Sequence, residues 1–107
     1  RLAPRGMSAQ PYPQLGGSQF DLVINATSAG LSGEMPALPP GIFAAGALAY
    51  EMVYGQHTPF MKFAAAQGAR IADGLGMLVE QAAAAFFIWR GVRPDTAPVI
   101  AMLKREA

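Results

Sequence analysis

The sequence predicts an α/β fold on a parallel sheet, and three observations predict it. Strand-type segments, the apolar run Leu22 to Ile24 and the weakly alternating Leu48 to Tyr54, are interspersed with helix-forming segments. The first run is continuous rather than alternating, which fits a central strand buried on both faces. The helical segments carry explicit boundary signals: Thr58 with Pro59 before one, Gly68 after it, and Gly91 after another.

Taken in order, residues 1–19 hold Pro4, Pro11, Pro13, Gly16 and Gly17 without apolar periodicity, and read as a loop or mobile leader. Residues 20–107 form the folded part. Phe20 to Ala26 is the first strand, and it ends in a small polar turn from Asn25 to Gly30. Residues 31–41, with Gly33, Pro36, Pro39, Pro40 and Gly41, are a loop. A short helix is expected over Ile42 to Ala45, ended by Gly46, and then a second strand from Leu48 to Tyr54.

Thr58 is placed to cap the amides of the next helix, and Pro59 sits at its first position, where no donor is needed. That helix runs to about Gln67. Arg70 to Ala72 is a short strand, followed by a long helix from about Leu75 to Arg90. Its apolar run is interrupted by Glu80 and Gln81 and falls short of the roughly 20 residues that a membrane span needs, so a buried helix is expected. A last helix starts near Asp95 or Thr96 and ends in Lys104 and Arg105, whose charge suits a helix C-terminus.

Composition narrows the function classes. Of 107 residues, 52% are hydrophobic and 14% charged, which fits one small unit with an apolar core. A net charge of +1, with no basic cluster beyond Lys104 and Arg105, gives no electrostatic reason to expect nucleic acid. Without cysteine there is no disulfide, zinc–thiolate or iron–sulfur site, and one histidine among scattered acids makes no metal set. Nothing near Arg1 reads as a signal peptide or a start methionine, so a cytoplasmic piece of a longer protein is expected.

In open parallel sheets, ligands bind beyond the carboxyl ends of the strands. Both longer strands end in residues with hydrogen-bonding or bare-backbone character: Asn25, Ala26 and Thr27 on one, Met52 to Tyr54 on the other. The third exit is a turn with Gly74 and Gly76, whose missing side chains admit a planar ligand. Gln81 stands about 10 Å further along nearly the same helix face, so a backbone contact and an amide can address two parts of one assembly. Each feature has a duller reading. Asn25 and Thr27 also satisfy turn backbone, Tyr54 also packs half-buried, and His57 reads as a surface-loop histidine. Asp73 is expected to brace the glycine turn. That turn is not a dinucleotide fingerprint, because Val79 stands where the pattern needs glycine or alanine.

The segments Phe20 to Gly30, Met52 to Tyr54, Thr58 to Phe60 and Ala72 to Gln81, with Trp89 to Gly91 and Pro94-Asp95, together resemble the C-terminal part of bacterial shikimate dehydrogenases in order and spacing. The resemblance implies the second half of a Rossmann-like NADP-binding sheet followed by C-terminal helices. It also implies part of an enzyme of aromatic amino-acid biosynthesis that reduces the C3 ketone of 3-dehydroshikimate to shikimate. Within it, Met52 and Gly74 match contacts to the nicotinamide side made largely through backbone, and Ala26 and Thr27 match strand-end positions near the cofactor. Tyr54 and Gln81 match residues that meet carboxylate or hydroxyl groups of the substrate.

The family's catalytic lysine and aspartate, its glycine-rich phosphate loop and its 2′-phosphate arginines match nothing in these residues. Arg1 and Arg5 are not assigned to that role. No catalytic residue is therefore expected in this chain, and by itself it is expected to be inactive. Glu51 stands where the family usually has aspartate, and the connection Gly55 to His57 is about one residue shorter than usual and lacks the common proline. A quinate/shikimate enzyme using NAD or NADP, or a non-catalytic binding module on the same half-domain, are the other readings. Exposed apolar surface on a half-sheet implies self-association. No nucleic-acid or membrane partner is expected.

Overall fold

The computed structural model describes residues 6–106; Arg1, Arg5 and Ala107 lie outside them. Three parallel strands form one sheet in the order β1 (Phe20–Asn25), β2 (Phe43–Glu51), β3 (Arg70–Asp73). Helix α1 (Pro59–Ala66) connects β2 to β3, and α2 (Leu75–Arg90) and α3 (Ala97–Glu106) follow. The α/β class, the parallel pairing and the order of the three main helices agree with the sequence reading. Within the leader, Tyr12–Leu15 makes one 3-10 turn, and Leu15 packs against the core.

The core lies on one face of the sheet. Ala47 and Ala49 of β2 project there with Val23 of β1 and Ile71 of β3, and Phe60, Phe63 and Ala64 of α1 cover them. Small alanines on the middle strand let the helix approach closely. Ile42 and Phe43 close the near end, with the Phe43 and Phe63 rings 6.0 Å apart at 53°.

Thr58 caps α1 as its position predicts: its Oγ1 accepts from the Met61 amide at 3.3 Å, and Pro59 occupies the first turn. Helix α2 begins and ends as expected, with Gly91 in the left-handed region at φ 71°. The start of α3 divides the two cap candidates. Asp95 Oδ1 accepts from the Ala97 amide at 3.3 Å, whereas the Thr96 hydroxyl is turned away toward Glu80.

Three expectations are corrected. Ile42 to Ala45 is not a helix ended by Gly46, and the second strand does not start at Leu48 or run to Tyr54. One strand runs from Phe43 to Glu51. The register explains how: β1 advances from Phe20 to Leu22 while β2 advances from Phe43 to Leu48, so β2 bulges. Gly46 takes up the bulge at φ 75°, and its carbonyl accepts from the Arg70 guanidinium at 3.1 Å.

Second, β1 is not a central strand buried on both faces. It lies at an edge of the sheet, and Leu22 and Ile24, paired with Leu48 and Tyr50, remain 52% and 53% exposed. A continuous apolar run reports that both faces are apolar, not that both are covered.

Third, α2 is not buried. Only the stripe Leu75, Val79 and Ala83 is, and Ile88 and Trp89 near its end are 78% and 76% exposed. No helix among the described residues is long and apolar enough to cross a membrane.

Candidate functional site

The carboxyl ends of the three strands converge, and a short set of contacts fixes how. The Met52 amide, just past β2, donates to the Asn25 carbonyl at the end of β1 at 3.2 Å. From the other side Gly74, just past β3, presses its Cα against Met52. A Cβ built on Gly74 would overlap the Met52 carbonyl oxygen and lie 2.9 Å from its carbonyl carbon. Gly74 has φ −82°, open to any residue, so close approach and not backbone freedom demands glycine here. Two of the positions expected to serve one ligand, Met52 and Gly74, are thus in direct contact.

Behind this junction lies a buried polar cluster. Glu51 is 0% exposed and accepts three hydrogen bonds. Asn25 Nδ2 donates to its Oε1 at 3.0 Å, the Thr58 hydroxyl donates to the same oxygen at 2.6 Å, and the Val53 amide approaches Oε2 at 3.4 Å. Among the described residues no buried side-chain nitrogen or oxygen lacks a partner. Burying a carboxylate is costly without such donors, so Asn25, Thr58 and Glu51 stand or fall together.

Ala26 and Thr27 leave β1 on the exposed side of this cluster. The Thr27 amide and hydroxyl both donate to Asn25 Oδ1, at 3.1 and 2.7 Å, and its oxygen accepts from Ala29 at 3.3 Å. Its one hydroxyl proton is spent inside the turn, so Thr27 can offer a ligand backbone and methyl but no free donor. The duller reading of Asn25 and Thr27 as turn residues is correct as far as it goes.

Tyr54 is exposed and lines a cleft of about 390 Å³ with Gly55, Asp73, Leu75, Leu78, Leu103 and Lys104. Its lining is largely apolar, with the Tyr54 hydroxyl, Asp73 and Lys104 as its polar groups. Asp73 braces the turn as expected, with Oδ1 accepting from the Leu75 amide at 3.1 Å.

Gln81 is exposed on α2 and is not among the residues lining that cleft. Its neighbour Glu80 has structural work: it accepts from Arg93 at 2.9 Å and from the Thr96 hydroxyl at 2.8 Å, tying α3 to α2. His57 is exposed in its loop. In the sequence Glu51 stands out only as a departure from the family's usual aspartate, and Lys104 only by its charge at a helix end. The burial of Glu51 depends on Asn25, 26 residues away, which no local pattern reveals.

A family model described as the shikimate 5′-dehydrogenase C-terminal domain matches residues 74–104. A relative from Methylobacillus flagellatus named shikimate dehydrogenase (NADP(+)) is 63% identical over 105 residues, which make up 97% of this chain and 39% of that protein. The chain matches the C-terminal part of shikimate dehydrogenases. The match holds in three dimensions. The crystal structure of an Ael1 enzyme from Pseudomonas putida superposes with a TM-score of 0.81 at 56% identity, over 86% of this chain and 35% of that one. Shikimate 5-dehydrogenase from Thermus thermophilus, solved in complex with shikimate, gives 0.64 at 34% identity, over 80% and 32%. The chain therefore spans well under half the length of these proteins.

Proposed function

We propose that this chain contributes the nicotinamide-facing edge of the NADP site and one wall of the substrate site in a shikimate dehydrogenase, which reduces 3-dehydroshikimate to shikimate. The observation that carries the reading is the direct contact of Gly74 with Met52 beside the Tyr54 cleft, in a chain 63% identical to a relative of that name. NADPH, when bound, supplies the hydride for the C3 ketone.

The residues present fit the nicotinamide end of that cofactor. Met52 puts an exposed thioether and backbone at the β2 exit, Gly74 brings backbone without a side chain against it, and Ala26 and Thr27 line the β1 exit. Tyr54 offers a hydroxyl that both donates and accepts, and Gln81 an amide that does the same, so each can read a hydroxyl or carboxylate of a cyclic hydroxy acid. None of these groups moves the proton. The lysine and aspartate that the family uses for that have no matching positions in this chain, so the chain alone is expected to turn over no substrate. A cytoplasmic setting and self-association through exposed apolar surface belong to the same reading.

The test joins this chain to the N-terminal part of the Methylobacillus flagellatus relative in place of the matching segment. Oxidation of NADPH by 3-dehydroshikimate is expected. Tyr54→Phe and Gln81→Ala should each raise KM for 3-dehydroshikimate by about tenfold and leave KM for NADPH within about twofold. A folded joined protein that reduces no 3-dehydroshikimate would sink the reading. Assays with quinate, and with NAD in place of NADP, separate the broader-specificity alternative.

A further inference from the structure

Among the described residues Glu51 is the one buried charged side chain, and it touches neither Ala26, Thr27, Met52, Tyr54, Gly74 nor Gln81 through its own hydrogen bonds. It does hold what carries them. Its Oε1 gathers Asn25, the last residue of β1, and Thr58, the cap of α1. Its Oε2 takes the amide of Val53, the residue between Met52 and Tyr54. One carboxylate therefore joins the exits of β1 and β2 to the start of α1.

Resting on the function proposed above, we propose that Glu51 is a positioning residue for the site, acting through the Val53 amide and Asn25 on the placement of Met52 and Tyr54. The chemistry makes the carboxylate specific. Asn25 Nδ2 and Val53 N are donors only, and the Thr58 hydroxyl already accepts from Met61 and has its proton to give. Both oxygens of residue 51 must therefore accept. A glutamine of the same shape has one accepting oxygen and one donating nitrogen. If its oxygen serves Asn25 and Thr58, its nitrogen faces the Val53 amide donor to donor, and the Met52-to-Tyr54 backbone must turn away. Flipping the amide moves the conflict to Asn25. Aspartate keeps two accepting oxygens, drawn back by one methylene. It can still accept from the amide two residues on, a common aspartate contact, while reaching less well toward Asn25 and Thr58.

The experiment uses the joined protein with Glu51→Gln and Glu51→Asp, reading KM and kcat for NADPH beside the thermal midpoint. The expected result for Glu51→Gln is a rise of about tenfold in KM for NADPH in the folded fraction, with Glu51→Asp recovering to about two- to threefold above the parent. Parent KM values in Glu51→Gln, or fewer active molecules at unchanged KM, would mean a merely structural role and overturn the proposal. Should Glu51→Gln not fold, Glu51→Asp decides: a KM raised about two- to threefold supports it, and the parent value overturns it.

A second readout is independent of catalysis. In the 107-residue chain, Glu51→Gln should shift the Val53 amide resonance and speed its hydrogen exchange, and leave the β2–β3 ladder at Ala49 and Ile71 unchanged. An unmoved Val53 amide overturns the proposal even if the joined protein proves inactive, in which case it is the functional reading that fails separately.

Discussion

The strand exits and the far end of α2 both run against what residue type alone suggests, and they do so on opposite terms: polar side chains are buried at the one and apolar side chains exposed at the other. At the exits the chain closes on itself. Glu51, Asn25 and Thr58 are buried with every polar atom partnered, and Gly74 leaves no room beside Met52. At the far end of α2, Phe87, Ile88 and Trp89 stand in solvent, as do Leu22 and Ile24 on the uncovered face of the sheet. The first region takes its order from contacts within 107 residues, whereas the second offers apolar surface that something else would have to cover. If the strand exits face a ligand as proposed, this internal closure is the kind of preorganisation that lowers the cost of binding.

The largest effect expected at the closed end is from Gly74→Ala. The new methyl would overlap the Met52 carbonyl, so either β3 or the Met52 backbone must shift. Overpacking of backbone against backbone should cost about 2–3 kcal/mol, measured by urea unfolding of the chain. Unchanged stability would show that the β2 and β3 exits are not pressed together, and with that the case for a shared Met52–Gly74 contact falls.

Gly76 is the control two residues on. A Cβ there meets nothing within 4 Å, and the residue lies in the first turn of α2. Gly76→Ala should therefore raise stability by about 0.5–1 kcal/mol, through reduced backbone entropy of the unfolded chain. If the two alanines move the urea midpoint in the same direction, Gly74 is no more tightly packed than Gly76.

These two glycines also show what could be read in the sequence and what could not. Helix limits were legible because their signals are local: Thr58 and Pro59 start α1 and Gly91 ends α2 through chemistry confined to neighbouring residues. In the sequence Gly46 looks like a helix stop and in the structure it is a bulge, since one left-handed glycine serves either purpose and only the pairing partner decides. The candidate site was readable as a place, from the strand exits, and the roles proposed for its residues came from resemblance. The Glu51 cluster was not legible, because an acid at a strand end is ordinary until Asn25 and Thr58 fold over it. Likewise an apolar run announces which residues favour burial, and leaves open what buries them, as Leu22 and Trp89 demonstrate.

The smallest effect on stability belongs to the open end. Ile88 and Trp89 are 78% and 76% exposed, so Ile88→Lys with Trp89→Lys removes almost no internal packing. Two added cations in the last turn of α2, which already carries Arg90, also suit the negative end of the helix dipole. Unfolding free energy should stay within about 0.5 kcal/mol of the parent. Association should change instead. Sedimentation of the parent chain is expected to show concentration-dependent self-association, and the doubly substituted chain a marked reduction of it. A parent chain that stays monomeric at high concentration would show that exposed apolar surface at the end of α2 does not drive association. A large loss of stability in the substituted chain would show that this end is already packed, and that the two regions differ less than their exposures imply.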